Sequence, residues 1–158
     1  MEDLVSQAKG EFTRAQNRIA ASLKAVPADK LNWAPSDSAR TSLQIAAHAA
    51  MGTQGMQGII EGKPFPFASM AEMDVASRIA EKQFTTIEAV LGLLDQTSSA
   101  YIAFLDSLTA EQLASTVNFP FGPIPLAAAI TFPADHLRGH AAQLDYVQTI
   151  WGDLVWHM

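Results

Sequence analysis

Apolar residues recur at the helical period along almost the whole chain. Leu4, Ala8, Phe12, Ala15, Ile19, Leu23 and Val26 form one stripe, with Arg14, Arg18 and Lys24 off it. That pattern predicts a long amphipathic helix, which Pro27 helps to end. Residues 27–40 hold two prolines and several Asp, Ser and Asn residues, and read as a connection. Thr41 and Gln44 stand at capping-box spacing and open a second helix carrying Ile45, His48 and Met51. This helix runs towards Glu61 and stops before Pro64, where the KPFPF run imposes an extended turn. Ser69 and Glu72 repeat the capping-box spacing before a short helix. Ile87, Val90, Leu91, Leu94, Tyr101, Phe104 and Leu108 mark a third long helix, and Thr109 with Gln112 a single helical turn after it.

Residues 115–125, rich in proline and aromatics, are expected to be loop. A last long helix is expected from near Pro125 to about Trp151, with Pro133 kinking it one turn before His136. No stretch alternates in the manner of a Val/Ile/Thr-rich strand. Four long helices with irregular connections predict an all-α four-helix bundle, a single domain over residues 1–158.

Composition narrows the functional classes. With 158 residues, 49% hydrophobic and only 16% charged, the chain can bury a sizeable core. The net charge of -6 and the scattered Lys and Arg argue against nucleic-acid or anionic-membrane partners. The acidic, amphipathic start and the lack of a spanning apolar run predict a soluble cytoplasmic protein. The apolar surplus suggests surface to hide in a homodimer. With no cysteine, disulfides, thiolate ligands and a cysteine nucleophile are excluded.

Three of the four histidines lie in apolar helical stretches. His136 and His140 stand four residues apart, so both imidazoles project from one helix face and can grip one ion. His48, on another helix, would add a third ligand and leave an open coordination position, which distinguishes a catalytic site from a closed structural one. Spacing alone leaves this reading level with that of ordinary helix histidines. His157 reads as a tail residue.

Around the histidines, Gln143 could bond an imidazole or a metal-bound water, or be an ordinary helix amide. Gln44 reads first as a cap and second as a supporting partner of His48. Asp135 is expected to pair with Arg138 at the surface. No Asp or Glu stands in the helical relation to the ligands that an H-E-x-x-H protease requires. Gly52, Gly55 and Gly58 follow His48; close helix packing is the preferred reading, with space for a ligand as the other. Trp33 and the Phe65 to Phe67 stretch are the candidate covers of the site.

WAPSDSARTSLQIAAH around His48 and HLRGHAAQLDY in the last helix resemble the DinB/YfiT-like metalloenzyme superfamily, over nearly the whole chain. The family pattern places one histidine in the second helix, H-x-x-x-H in the fourth and Gln three residues on, matched here by His48, His136, His140 and Gln143. Many relatives read His-His-Arg-Gly-Gln near the last ligand, whereas here Arg138 and Gly139 precede His140 and Ala142 precedes Gln143. The resemblance implies a four-helix bundle whose three histidines coordinate a divalent metal, with water completing the site. It further implies a metal-dependent transferase or hydrolase acting on a small molecule, with a low-molecular-weight thiol as a candidate cosubstrate. Zinc or nickel suits an all-imidazole set. A non-catalytic metal- or ligand-binding bundle is the alternative.

Overall fold

The structure, a computed structural model, describes residues 2–157. Helix α1 (Glu2–Lys24) packs against α4 (Ile87–Asp106) and α7 (Phe132–Thr149), and α2 (Ser42–Ile60) packs against the same two helices from the other side. The four long helices form a bundle, as their apolar stripes require. Ala8, Phe12, Ala15, Ile19 and Leu23 of α1 are all buried. Helix α2 is sunk deepest, with Leu43, Ile45, Ala46, Ala47, Ala49 and Ala50 at 1% exposure or less. Its alanines let neighbouring helices approach closely while costing little helix propensity.

Polar links set how the helices meet. The Tyr101 hydroxyl, buried beside Phe12, donates to the Ile130 carbonyl at 2.6 Å and ties α4 to the approach of α7. Burial pushes its pKa up. Between α1 and α7, buried Gln148 donates to the Ser22 carbonyl, and Asp145 accepts from Ser22 and Arg18. Asp135 pairs with Arg138 at 2.6 Å on an exposed face, as expected, and Arg138 also reaches Glu11.

Two expectations for the C-terminal third are corrected. Residues 115–125 are not simple loop. β1 (Thr116–Phe119) pairs antiparallel with β2 (Gly122–Pro125), with Val117 opposite Ile124 and Phe119 opposite Gly122. Four-residue strands are too short to show alternation clearly, and prolines at 123 and 125 are tolerated because a two-stranded ribbon consists of edge strands. Gly122 sits at φ +126°, a turn conformation that disfavours a side chain.

The last helix does not run unbroken from Pro125. A short α6 (Leu126–Ala129) precedes it, following the one-turn α5 (Ala110–Leu113) and the hairpin, and α7 begins at Phe132. Pro133 therefore lies in the first turn of α7, where its missing N–H has no intrahelical bond to lose, and it does not kink a helix interior. Helix α3 (Met70–Glu81), capped by Ser69, lies over α2 as a fifth element outside the bundle. Among the described residues, no helix is long and apolar enough to cross a membrane.

Candidate metal centre

His48 from α2 and the pair His136 and His140 from α7 converge at the α2–α7 seam. Ring centroids lie 4.8 Å apart for His48 and His140, 5.4 Å for His48 and His136, and 4.5 Å within the pair. One donor nitrogen from each ring falls within 4.8 Å of the other two.

Hydrogen bonds at the far side of two rings set their tautomers. Nδ1 of His48 donates to Glu81 Oε1 at 2.8 Å, and Nδ1 of His140 donates to Gln143 Oε1 at 2.9 Å. A carboxylate can only accept, so His48 carries a proton on Nδ1 and any ligating lone pair would sit on Nε2. The Gln143 carbonyl oxygen imposes the same state on His140. Nε2 of His136 lies 3.2 Å from Nε2 of His140. Tetrahedral zinc with bonds of about 2.0–2.1 Å separates its nitrogen ligands by about 3.3 Å. The donor set suits a divalent ion, and the His136–His140 separation matches a shared one, while the three donors together span up to 4.8 Å.

Burial and electrostatics hold His136 and His140 towards the neutral form. Burial, followed by the charges of His140 and His48, pulls the His136 pKa down to about 3. Burial also lowers that of His140, against the opposing pull of Gln143. Nδ1 of His136 is itself buried with no hydrogen bond of good geometry, although the Ala49 carbonyl draws weakly on the ring.

The sign of the resulting pH dependence follows. His136 falls from an ordinary 6.5 to about 3 on folding, so between those values the unfolded chain binds more protons. Its contribution to the stability of the metal-free protein is complete above pH 6.5 and is lost as pH falls towards 3. Lowering the pH from 7.5 to 4.5 should remove about 2–3 kcal/mol through this group. Urea unfolding at the two pH values checks it, with His136→Ala expected to show a smaller loss.

Glu81 was not visible as a site residue in the sequence. It ends α3 and is 1% exposed. Arg40 clamps it with two bonds, Nε to Oε2 at 2.7 Å and Nη2 to Oε1 at 3.0 Å, and also reaches Asp74 at 2.9 Å. Burial would raise the Glu81 pKa, but the hydrogen bonds from His48 and Arg40 outweigh it and hold the carboxylate below its ordinary value. Only the placing of α3 over α2 brings it to His48, and no local spacing announces that.

The other expectations divide. Gln143 bonds the His140 imidazole, which is one of its two readings. Gln44 is a cap: its Oε1 accepts from the Thr41 N–H at 2.9 Å in a complete capping box, and its role as a partner of His48 is withdrawn. Trp33 packs edge-on against Trp151, with ring centroids 5.6 Å apart, and does not cover the histidines. Phe65 and Phe67 do line the space beside them, a cavity of about 440 Å³ reached by His48 and His136.

Close packing between α2 and α7 accounts for Gly52 but not for Gly55. A Cβ on Gly52 would stand 2.3 Å from Cε1 of His136, so this glycine makes room for the His136 ring. One on Gly55 would meet nothing within 4 Å. Gly52→Ala should displace the His136 ring and lower ion affinity by about 10–100-fold, the range for residues that orient a ligand. Zinc titration checks this, and unchanged affinity would show that the ring can shift freely.

The DinB superfamily model matches residues 11–144. No curated protein matches the chain in sequence. Two solved structures share the fold. A mycothiol-dependent maleylpyruvate isomerase matches with a TM-score of 0.71 at 12% identity, over 89% of this chain and 60% of its own. YfiT from Bacillus subtilis, described as "a probable metal-dependent hydrolase with an unusual four-helix bundle topology", matches with a TM-score of 0.69 at 14% identity, over 94% of this chain and 90% of its own. The chain thus spans 60% of the isomerase's length, and at these identities the likeness is one of fold.

Proposed function

The chain belongs to the DinB superfamily, and on that footing we propose that His48, His136 and His140 hold a divalent metal ion in a metal-dependent enzyme acting on a small molecule. One observation carries this reading: three imidazole donors gather within 4.8 Å, two of them with their far nitrogens tied to acceptors. An ion held by three neutral ligands would keep its double positive charge, and would supply Lewis acidity and stabilise a thiolate or a hydroxide. Zinc and nickel both suit the donor set.

The chain's own residues orient and shield. Glu81 and Gln143 hold the His48 and His140 rings in their metal-ready tautomers. Arg40 balances the Glu81 charge. The cavity beside His48 and His136 gives one side of the centre a largely apolar wall. Glu81 is engaged by both His48 and Arg40, so it is not free to take a proton from a nucleophile.

Without a free carboxylate base, a nucleophile that ionises near neutrality has the advantage. A thiol, with an ordinary pKa of about 8.5, meets that need better than unassisted water. The chain has no cysteine, so the thiol must arrive as a low-molecular-weight cosubstrate. The mycothiol dependence named for one structural neighbour agrees with thiol transfer, and the hydrolase description of YfiT supports hydrolysis as the second reading. Protein purified from zinc- or nickel-supplemented cultures should carry one ion per chain and turn over electrophiles only with an added thiol. A chain without a stoichiometric ion would sink the proposal, and thiol-independent hydrolysis would select the second reading.

A further inference from the structure

We propose that the cavity beside the histidines takes an uncharged, largely hydrocarbon or aromatic small molecule, and that Gly55 is the position that keeps room for it. The cavity, about 440 Å³, falls in the range of small-molecule sites. Met51, Met56, Met70 and Met73 contribute thioethers to its walls, and Phe67 and Phe121 aromatic faces. Among the described residues, no Lys, Arg, Asp or Glu lines it, and beyond the two histidines its polar side chains are Gln54 and Ser77. A carboxylate or ammonium group lodged among these residues would lose its water and find no counter-charge. Arg40 offers none, since Glu81 and Asp74 occupy it outside the lining. A charged group on the ligand therefore has one favourable place, the end where His48 and His136 stand.

Gly55 supplies independent support. It lies inside α2, where glycine costs about 1 kcal/mol relative to alanine. Its φ is not positive, and a Cβ would meet nothing within 4 Å, so neither backbone conformation nor close packing accounts for it. It lines the cavity at an exposed position, where a Cβ would stand in open space. Methionine walls repack around different outlines, so polarity rather than shape defines the ligand class. Met70 and Phe121, 52% and 68% exposed, stand on the cavity wall where an apolar molecule can be received from solvent.

This inference rests on the proposed metal centre only for where the reacting group sits; the apolar body of the ligand is placed by the cavity itself. The test is fluorescence titration of the zinc-loaded protein with neutral N-phenyl-1-naphthylamine and with its anionic relative 8-anilino-1-naphthalenesulfonate. The neutral probe should bind at one per chain and at least about tenfold more tightly than the sulfonate. Gly55→Leu should weaken it by about tenfold or more, with zinc content and thermal midpoint held, whereas Gly55→Ala should retain binding. Ser77→Leu, on the α3 wall, repeats the test should Gly55→Leu fail to fold. Equal or tighter binding of the sulfonate, or neutral-probe binding untouched by the folded leucine variants, would overturn the inference. So would a dimer in sedimentation that dissociates as the probe binds, since a second copy would then be the occupant. A chain that holds no zinc yet binds the neutral probe in a Gly55-dependent way would remove the metal centre and support the cavity reading.

Discussion

His136→Ala should abolish stoichiometric ion binding while leaving the metal-free bundle folded. The substitution removes one of three donors and breaks the pair that α7 presents, so the loss should exceed the roughly 10–100-fold that follows changes to ligand-orienting residues. Stability of the metal-free protein should change by less than about 2 kcal/mol, because the truncation sacrifices packing but also removes a buried nitrogen without a good hydrogen bond. Calorimetric zinc titration and urea unfolding in chelator measure the two effects. Wild-type zinc affinity in the variant would remove His136 from the ligand set. Collapse of the metal-free variant would give His136 a structural role instead.

Arg40→Ala should be the most destabilising change outside the apolar core. Glu81 is 1% exposed, and Arg40 supplies two of its hydrogen bonds and its counter-charge. Breaking a buried pair by removing one partner costs about 3–5 kcal/mol, because the remaining charge is left uncompensated. For a chain of this size that corresponds to a fall in thermal midpoint of roughly 6–20 °C. Protonation is Glu81's alternative, and a protonated carboxyl accepts less well from His48, so zinc affinity should fall with stability. Thermal unfolding with and without zinc reads both. A loss below 1 kcal/mol would mean that His48 and local water satisfy Glu81 without Arg40.

The two substitutions probe parts of the centre that differed in legibility. His136 and His140 announce themselves because a helix turns a four-residue spacing into a shared face, and the α7 backbone realises it. Gln143 lies one turn beyond His140 and is legible for the same reason. Gln44 obeys an equally local rule, but the backbone amide of Thr41 claims its side chain before His48 can. Glu81 is 33 residues from His48 in sequence and meets it only because α3 lies over α2. The hairpin was obscured by its four-residue strands, and the start of α7 by a proline equally suited to a first turn or a kink.

By itself the sequence determined what repeats over short range: the four amphipathic helices, their caps, the absence of a cysteine and the paired imidazoles on one helix face. Helical period, capping and side-chain identity act within a few residues, so they survive reading along a line. Only the tertiary structure decided that His48 faces the pair, that Glu81 and Arg40 stand behind it, that Gly52 leaves room for the His136 ring and that Gly55 borders the open cavity. Those relations depend on which helix faces pack together, and packing is set by the whole core at once.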